Sequence, residues 1–520
     1  MSEHETGVGA TGRGGETPVL SMRGITKAFG DNIANDHVDL DLYRGEVHGL
    51  LGENGAGKST LMNILYGLYK ADSGSIMLNG EPANIAKPSD AVAAGIGMVH
   101  QHFMLVPTLT AAENVVLGAE PSHGGLLDRD AISQSVRELS ERYGLRVDPD
   151  ARVGDLSVGL QQRVEVLKAL YRDARILVLD EPTAVLTPQE TSELFDVLRD
   201  FVDQGLSIIL ITHKLGELLG VSERITVIRD GKVIDTVVAS QTDERQLATL
   251  MVGREVVLQV ERSPTRPGDV RLEARGLKVL GITGAQAVKG VDLTVRGGEV
   301  LAVAGVDGNG QVELAEALAG IRPVTAGTVH IDGQDVTELG AEARSDGGLA
   351  YIPEDRAGKG LVRDFTLAEN FVLKRYDHSP YSSSGWLRGT AISRFARERI
   401  KAFDVRPANE QATAGSLSGG NQQKAIVARE LEGEPSVLIA NQPTRGVDVG
   451  AIEFIHKQLL AARDRGAAVL LISLELDEIL QIADRIVVLF DGRIVGEVAC
   501  EAATDEQLGL WMAGHTAEAG

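Results

Sequence analysis

The sequence predicts an α/β fold built twice in tandem, each copy a mainly parallel sheet with helices on both sides. Three observations lead there. Short, wholly apolar runs of strand length alternate with helix-like segments, the pattern of strands buried on both faces. A glycine-rich loop, Gly52 to Ser59, follows one such run and opens a helix. The motifs then recur in the same order in the second half of the chain: Glu46–Gly52 with Glu299–Gly305, Thr110–Asn114 with Thr366–Asn370, Leu156–Gln162 with Leu417–Gln423, and Arg224–Gly231 with Arg485–Gly492. A repeat this long means two whole domains rather than a solenoid.

Residues 1–17 are rich in Gly, Glu and Thr and hold no apolar run, so they read as a disordered tail and not as a signal peptide. The first domain is expected over 18–252. Its opening stretch, Leu20–Phe29, reads as a strand of an additional antiparallel layer. Apolar runs at 46–52, 95–100, 175–180, 207–212 and 224–229 read as the buried strands, with helices over Gly57–Leu68 and Glu190–Phe201. Residues 103–165 look mostly helical, without the strand pattern, and form a helical subdomain. A polar, proline-broken stretch containing Ser263-Pro264-Thr265-Arg266-Pro267-Gly268 marks a linker over 253–269. The second domain, 270–515, repeats the plan, with Val270–Val279 as its antiparallel opening and 363–415 as its helical subdomain.

Composition narrows the function. The chain of 520 residues is too long for one core. A formal net charge of −23 argues against nucleic acid as a main partner, since phosphate backbones need basic stripes. The single cysteine, Cys500, leaves no disulfide framework and no thiolate zinc site, and suits a reducing compartment. No apolar run reaches the roughly 18 residues that a membrane helix needs. Any membrane role is therefore expected to run through partners.

The chemistry of the first half is specific. Gly52-Glu53-Asn54-Gly55-Ala56-Gly57-Lys58-Ser59-Thr60 fits G-x-x-x-x-G-K-[ST]. Its glycines let backbone N–H groups curl around phosphates at the positive end of the following helix. Lys58 can reach the β- and γ-phosphates, and Ser59 can ligate Mg²⁺. The apolar run Arg175–Leu179 ends in Asp180-Glu181, which suits Asp180 to hold the Mg²⁺ shell and Glu181 to polarise an attacking water.

Between these motifs stands Leu156-Ser157-Val158-Gly159-Leu160-Gln161-Gln162. With it the chain resembles the ATP-binding-cassette (ABC) ATPases, in two copies over residues 18–515. The resemblance implies further roles: Gln101 as the glutamine that contacts the metal and senses the membrane partner, His213 as the histidine at the γ-phosphate, and Phe29 as the aromatic stacked on adenine. Its cofactors would be ATP and Mg²⁺, with Ser59, Gln101 and Asp180 as the metal-side residues.

The second half has lost this chemistry. Lys58 aligns with Gln311, Ser59 with Val312, Asp180 with Asn441, Glu181 with Gln442, His213 with Leu474 and Gln101 with Glu354. No aromatic stands where Phe29 would be. Together these losses leave no route to hydrolysis. Yet Leu417-Ser418-Gly419-Gly420-Asn421-Gln422 is the better signature of the two. In ABC proteins each ATP lies between one phosphate loop and the opposite signature. The resemblance therefore implies one complete site, with Ser418, Gly419, Gly420 and Gln422 acting in trans, and one poor site.

The tandem layout is similar to the simple-sugar and nucleoside importer ATPases. Gly97–Val106, Leu160–Glu165 and Gly305–Gln311 look closest to the nucleoside branch, with ribose or another monosaccharide as the alternative. The resemblance implies a peripheral position on the cytoplasmic face of the membrane, two separate permease subunits, expected to differ from one another because the two segments that would meet them differ, and a substrate-binding lipoprotein. Contact with the permeases would run through Pro107–Val116 and Asp364–Val372. A ribosome-associated tandem ABC factor would be expected to carry two working sites and a long charged linker, and a DNA-repair ABC ATPase zinc-binding cysteines; this chain has none of these. Lys58, Asp180, Glu181 and His213 speak against a binding-only role.

Overall fold

The apolar runs become the centre of each sheet because every residue in them finds a buried face. Val47–Leu51, Ile176–Asp180 and Ser207–Ile211 are buried along their whole length, as are Glu299–Ala304, Val437–Asn441 and Ala468–Ile472. The computed structural model describes residues 16–30, 32–100, 103–123, 126–183, 186, 188–254, 262–264 and 266–515. The chain forms two units, Met1–Val256 and Val257–Gly520.

In the first unit a six-stranded sheet runs in the order Lys232–Val238, Arg224–Arg229, Val47–Leu51, Ser207–Ile211, Ile176–Asp180, Ile96–Val99. All neighbours are parallel except Lys232–Val238, which pairs antiparallel on Arg224–Arg229. A second, antiparallel sheet has the order Asn32–Leu42, Leu20–Phe29, Ser73–Leu78, Glu81–Ala83. Leu20, Met22, Val38 and Leu40 of that layer pack with Leu61, Leu65, Ile209 and Ile211 in one core. The second unit repeats both sheets: Leu349–Ile352, Val437–Asn441, Ala468–Ile472, Glu299–Ala304, Arg485–Phe490, Arg493–Ala499, and the antiparallel Gln286–Arg296, Val270–Leu280, Ala326–Ile331, Gln334–Asp335.

Register decides where the chemistry emerges. Ile211 lies opposite both Leu50 and Asp180 in the parallel ladder, so the chain leaves all three strands at one edge of the sheet. The glycine-rich loop, Asp180-Glu181 and Thr212-His213 are thereby gathered at the carboxyl ends of the strands, where open α/β sheets place ligands.

Two sequence expectations are adjusted. The helix foreseen over Gly57–Leu68 spans Lys58–Leu65, since Gly57 takes a left-handed conformation and Tyr66 is the cap; that over Glu190–Phe201 extends to Pro188–Asp203. The helical subdomains do contain Ala111–Val116, Arg129–Arg142 and Val158–Tyr171, and Leu367–Val372, Gly389–Ala402 and Gly419–Glu430. Each also carries a two-stranded hairpin, Ser122–His123 with Leu126–Leu127 and Ser382–Ser383 with Trp386–Leu387. Strands of two residues leave no detectable alternation in a sequence. Most of the tail expected over 1–17 and part of the linker expected over 253–269 lie outside the described residues. Among the described residues no helix is long and apolar enough to cross a membrane.

Candidate functional site

The glycine-rich loop is shaped by contacts that no side chain would fit. A Cβ on Gly57 would stand 2.2 Å from the Ala34 carbonyl oxygen, and one on Gly52 would stand 2.3 Å from that of Ile228. Gly57 also has φ near 103°, open to glycine at little cost. Beyond it the helix Lys58–Leu65 has no acidic residue in its first turn, so its positive end is left for an anion. Glu53, Asn54, Gly55, Ala56, Ser59 and Thr60 complete the cradle, with Asn54, Gly55 and Ser59 exposed to an incoming ligand.

Lys58 is buried, and its ammonium donates to the Gly52 carbonyl at 2.6 Å and to that of Glu53 at 3.0 Å. Burial lowers its pKa, against the charges of Glu181, Asp180 and Glu53. Asp180, at the end of its strand, is raised by burial and by the adjacent Glu181 charge, in part offset by Lys58 and by a hydrogen bond with the Ser59 hydroxyl. An added cation would relieve that strain. The oxygen donors present, a hydroxyl and a carboxylate in contact, fit Mg²⁺. Among the described residues no group of three His, Cys, Asp or Glu is placed to hold a metal ion.

Glu181 occupies the next position with φ 49°, a left-handed conformation unusual outside glycine, and its N–H donates to Ile211 O at 2.8 Å. Its Oε1 lies 3.0 Å from Nδ1 of His213. Burial pushes the Glu181 carboxyl up, but the His213 hydrogen bond and the charges of His213, Lys58 and Lys214 outweigh it and hold the group ionised. A carboxylate that stays charged in a half-buried site can accept a proton from water and be held in aim by a histidine. Behind them Thr183 donates to Glu217 at 2.7 Å and Thr212 to the same oxygen at 3.3 Å, which fixes both strand-end loops.

Phe29 closes its strand with an exposed ring, edge-on to Tyr69 at 5.4 Å and with the Lys27 ammonium 5.5 Å from its centroid. The ring thus presents surface to solvent that a planar base could cover. Gln101 lies outside the described residues.

The second unit reproduces the backbone without the chemistry. Gly310 has φ 101° and Gln442 φ 47°, and Gln442 N–H donates to Ile472 O at 2.7 Å, as Glu181 does to Ile211. Gln311 is buried and its amide donates to Val306 O at 2.9 Å, so a neutral group fills the place of the ammonium. Glu354 pairs with Arg445. Glu316 is buried and takes both Lys359 and Arg322. Lys359, Arg322 and Arg445 are thus matched by carboxylates of the same unit.

The two signatures differ in a way the sequence half revealed. Ser157 caps its helix, accepting from Leu160 N–H at 3.4 Å, and Val158 stands exposed beside it. Ser418 makes no side-chain cap; its Oγ accepts from Asn421 at 2.9 Å, leaving the first N–H groups of Gly419–Glu430 open. A Cβ on Gly420 would approach Asp448 Oδ2 to 2.5 Å and oblige that side chain to shift. Gln422, expected at the nucleotide, donates its amide to Ala414 O at 3.1 Å. Sequence reading missed Arg356. Its guanidinium donates to Arg445 O at 2.6 Å and would lie 3.3 Å from a Cβ on Gly419, so it ties the signature to the loop that follows Gln442. The signal available was that Glu354–Leu361 is longer than its first-half counterpart, Gln101–Leu105.

Comparison with known proteins agrees with this geometry. Residues 35–184 and 288–445 each match the family described as ABC transporter. The nucleoside import ATP-binding protein NupA of Lactococcus lactis subsp. cremoris is 52% identical over 496 residues, covering 95% of this chain and 98% of its own. The guanosine import ATP-binding protein NupO of Bacillus subtilis is 50% identical, covering 96% and 98%. A ribose import ATP-binding protein, RbsA 1 of Rubrobacter xylanophilus, is 42% identical, covering 97% and 100%. The duplicated cassette, the phosphate loop and these relatives together place the chain: it belongs to the ABC transporter family, as an import ATPase with two ATP-binding cassettes in one polypeptide.

Proposed function

We propose that this ATPase drives uptake of nucleosides, hydrolysing one ATP per chain in each cycle. The observation that carries the catalytic part is the Glu181–His213 contact at 3.0 Å beside Lys58 and Asp180, with Gln442 and Asn441 at the matching places of the second unit. In this reading Glu181 takes the proton of the attacking water, His213 aims Glu181 and reaches the γ-phosphate, and Lys58 exchanges its loop carbonyls for β- and γ-phosphate oxygens. The N–H groups of Gly52–Ser59 cradle the phosphates, and Phe29 covers the adenine. Ser59, Asp180 and Gln101 would hold Mg²⁺, which neutralises charge developing on the phosphates.

In the same reading Ser418, Gly419 and Gly420 would serve the γ-phosphate in trans through their N–H groups, as the resemblance implies. The domains run over 18–252 and 270–515, joined by a linker over 253–269. Nucleoside cargo rests on NupA and NupO, whose identity with this chain exceeds that of the ribose importer. The partners are two differing permeases, engaged through Pro107–Val116 and Asp364–Val372, and a substrate-binding lipoprotein; the chain works on the cytoplasmic face of the membrane.

Uptake of labelled nucleoside and labelled ribose by a strain lacking the gene tests the cargo. Loss of nucleoside uptake alone is the expected result, and loss of ribose uptake alone overturns the nucleoside assignment. Trapping nucleotide with a phosphate analogue tests the site: one equivalent per chain is expected, and two would refute the asymmetric mechanism.

A further inference from the structure

The helical subdomain of the second unit carries a feature that nucleotide chemistry does not use. Ser384 and Gly385, with φ of 51° and 81°, make the two-residue turn of the hairpin Ser382–Ser383/Trp386–Leu387. Trp386 stands directly after that turn and is 81% exposed; Leu387 is 61% exposed. Trp386 has no aromatic neighbour and no cation over its ring among the described residues. A tryptophan held out at a hairpin tip is costly in water unless something covers it.

The surroundings say what. Residues 363–406 hold nine Lys and Arg against five Asp and Glu, inside a chain whose formal net charge is −23. Arg388 follows the hairpin directly and begins the helix Gly389–Ala402. That helix buries Ile392, Ala396 and Ile400, so Arg394, Arg397 and Lys401 fall on its outward face, three cations around the single carboxylate of Glu398. Arg397 has an ion partner, Glu410, at 3.5 Å. Arg388, Arg394 and Lys401 make no ion pair among the described residues. The matching helix of the first unit, Arg129–Arg142, has Arg129, Arg137 and Arg142 balanced by Asp130, Glu138 and Glu141. The basic face is particular to the second unit.

An exposed Trp-Leu tip beside unpaired guanidinium and ammonium groups is the composition of a membrane-interface anchor. The indole sits at headgroup depth while the cations meet anionic lipid. We propose that the hairpin tip at Trp386-Leu387, with Arg388, Arg394 and Lys401, docks on the anionic lipid surface. This goes beyond contact through permeases, which the sequence alone led us to expect as the whole of the membrane role, and it rests on the reading of the chain as an importer subunit working at the membrane. In an otherwise acidic chain, one basic face also fixes which side approaches a negatively charged bilayer.

The chain has two tryptophans, and Trp511 is buried at 8% exposure, so intrinsic fluorescence reports chiefly on Trp386. The test mixes the purified full-length chain with vesicles of phosphatidylglycerol and phosphatidylcholine, or of phosphatidylcholine alone, without permease. The expected result is a blue shift and quenching by brominated lipid with the anionic vesicles only, weakening as salt rises. Trp386→Ala abolishes the shift, and Arg394→Gln with Lys401→Gln lowers partitioning roughly fivefold per charge. ATPase rate and permease-dependent uptake, measured on the same variants, separate this proposal from the importer reading. Absence of anionic-vesicle binding overturns it. So does a shift that survives Trp386→Ala, or one that requires the permease in detergent and not lipid, which would reassign the tip to a protein contact.

Discussion

Replacing Glu181 by Gln tests the catalytic assignment with the least disturbance. The amide has the shape of the carboxylate, so the side chain keeps its place 3.0 Å from His213 Nδ1, and the left-handed backbone at φ 49° is retained. What goes is the negative charge and the ability to take a proton. Removing a positioned general base costs about 10²–10⁴-fold in turnover, which corresponds to about 3–5 kcal/mol of transition-state stabilisation. Binding should move the other way. Glutamine takes away one negative charge beside Lys58 and Asp180, which eases approach of a polyphosphate. The assay is phosphate release under saturating ATP, with affinity for a fluorescent ATP analogue measured in parallel. Expected is a turnover loss of at least about a hundredfold with affinity unchanged or tighter. The paired control is Gln442→Glu, which restores the carboxylate where Gln311 and Leu474 still stand and should leave turnover as it was. A Glu181→Gln chain that keeps more than about a tenth of its turnover would refute the assignment, and so would a Gln442→Glu chain that gains activity.

Lys58→Ala removes a buried ammonium held by two loop carbonyls; loss of its charge-assisted contacts should weaken ATP binding about 10–100-fold, whereas Gln311→Ala should leave ATP affinity of the chain unchanged in the same titration. Glu46 is buried; burial raises its pKa, but hydrogen bonds with His48, Arg224 and the Tyr43 N–H bring it down from 4.5 to about 2. That shift is worth about 3 kcal/mol, present above the ordinary carboxylate range and lost as pH falls from about 4.5 through about 2. Glu46→Gln should therefore lower the melting temperature at pH 7 by several degrees, and the gap from the parent chain should narrow in acid; an equal gap at both pH values would contradict this. Thr110 accepts from Glu113 N–H at 3.2 Å while Glu113 accepts from Thr110 N–H at 3.0 Å. Thr110→Ala should cost about 1 kcal/mol in denaturant unfolding and reduce uptake more than ATPase rate, since the cap shapes the proposed permease contact.

The parts legible in the sequence are those fixed by local chemistry. Wholly apolar runs such as Ile208–Ile211 read as strands buried on both faces, and the glycines at 52 and 57 mark places where a Cβ would stand 2.3 and 2.2 Å from a backbone carbonyl oxygen. Asp180 and Glu181 could be placed because a strand end is also a sheet edge. Features that depend on contacts distant in sequence were not legible. Glu354 reads as a lost glutamine, while its pairing with Arg445 needs the fold. The Glu316 pairs with Lys359 and Arg322, and the contacts of Arg356 with Arg445 and Gly419, likewise join segments whose spacing says nothing of contact. That the Ser418 Oγ accepts from Asn421, three residues on, and not from its helix's N–H groups was hidden too, since sequence reading took Asn421 only as part of a motif.

Those long-range contacts explain why the second unit keeps a strained backbone at a residue with no catalytic work. A non-glycine residue in the left-handed region costs on the order of 1–3 kcal/mol, and Gln442 at φ 47° retains that cost after losing the carboxylate. Its N–H donates to Ile472 O, which sets the direction of the chain through Thr444, Arg445 and Gly446. Thr444 is then held by Glu478 at 2.8 Å, and the carbonyl of Arg445 receives Arg356. Arg356 in turn lies against Gly419 at the opening of the signature helix. Relaxing Gln442 to an ordinary conformation would redirect this loop and shift the N–H groups of Gly419 and Gly420. The N–H groups of the signature thus depend on the geometry of a strand end that carries Asn441 and Gln442 where the first unit carries two carboxylates, and that dependence gives the left-handed Gln442 a structural reason apart from catalysis.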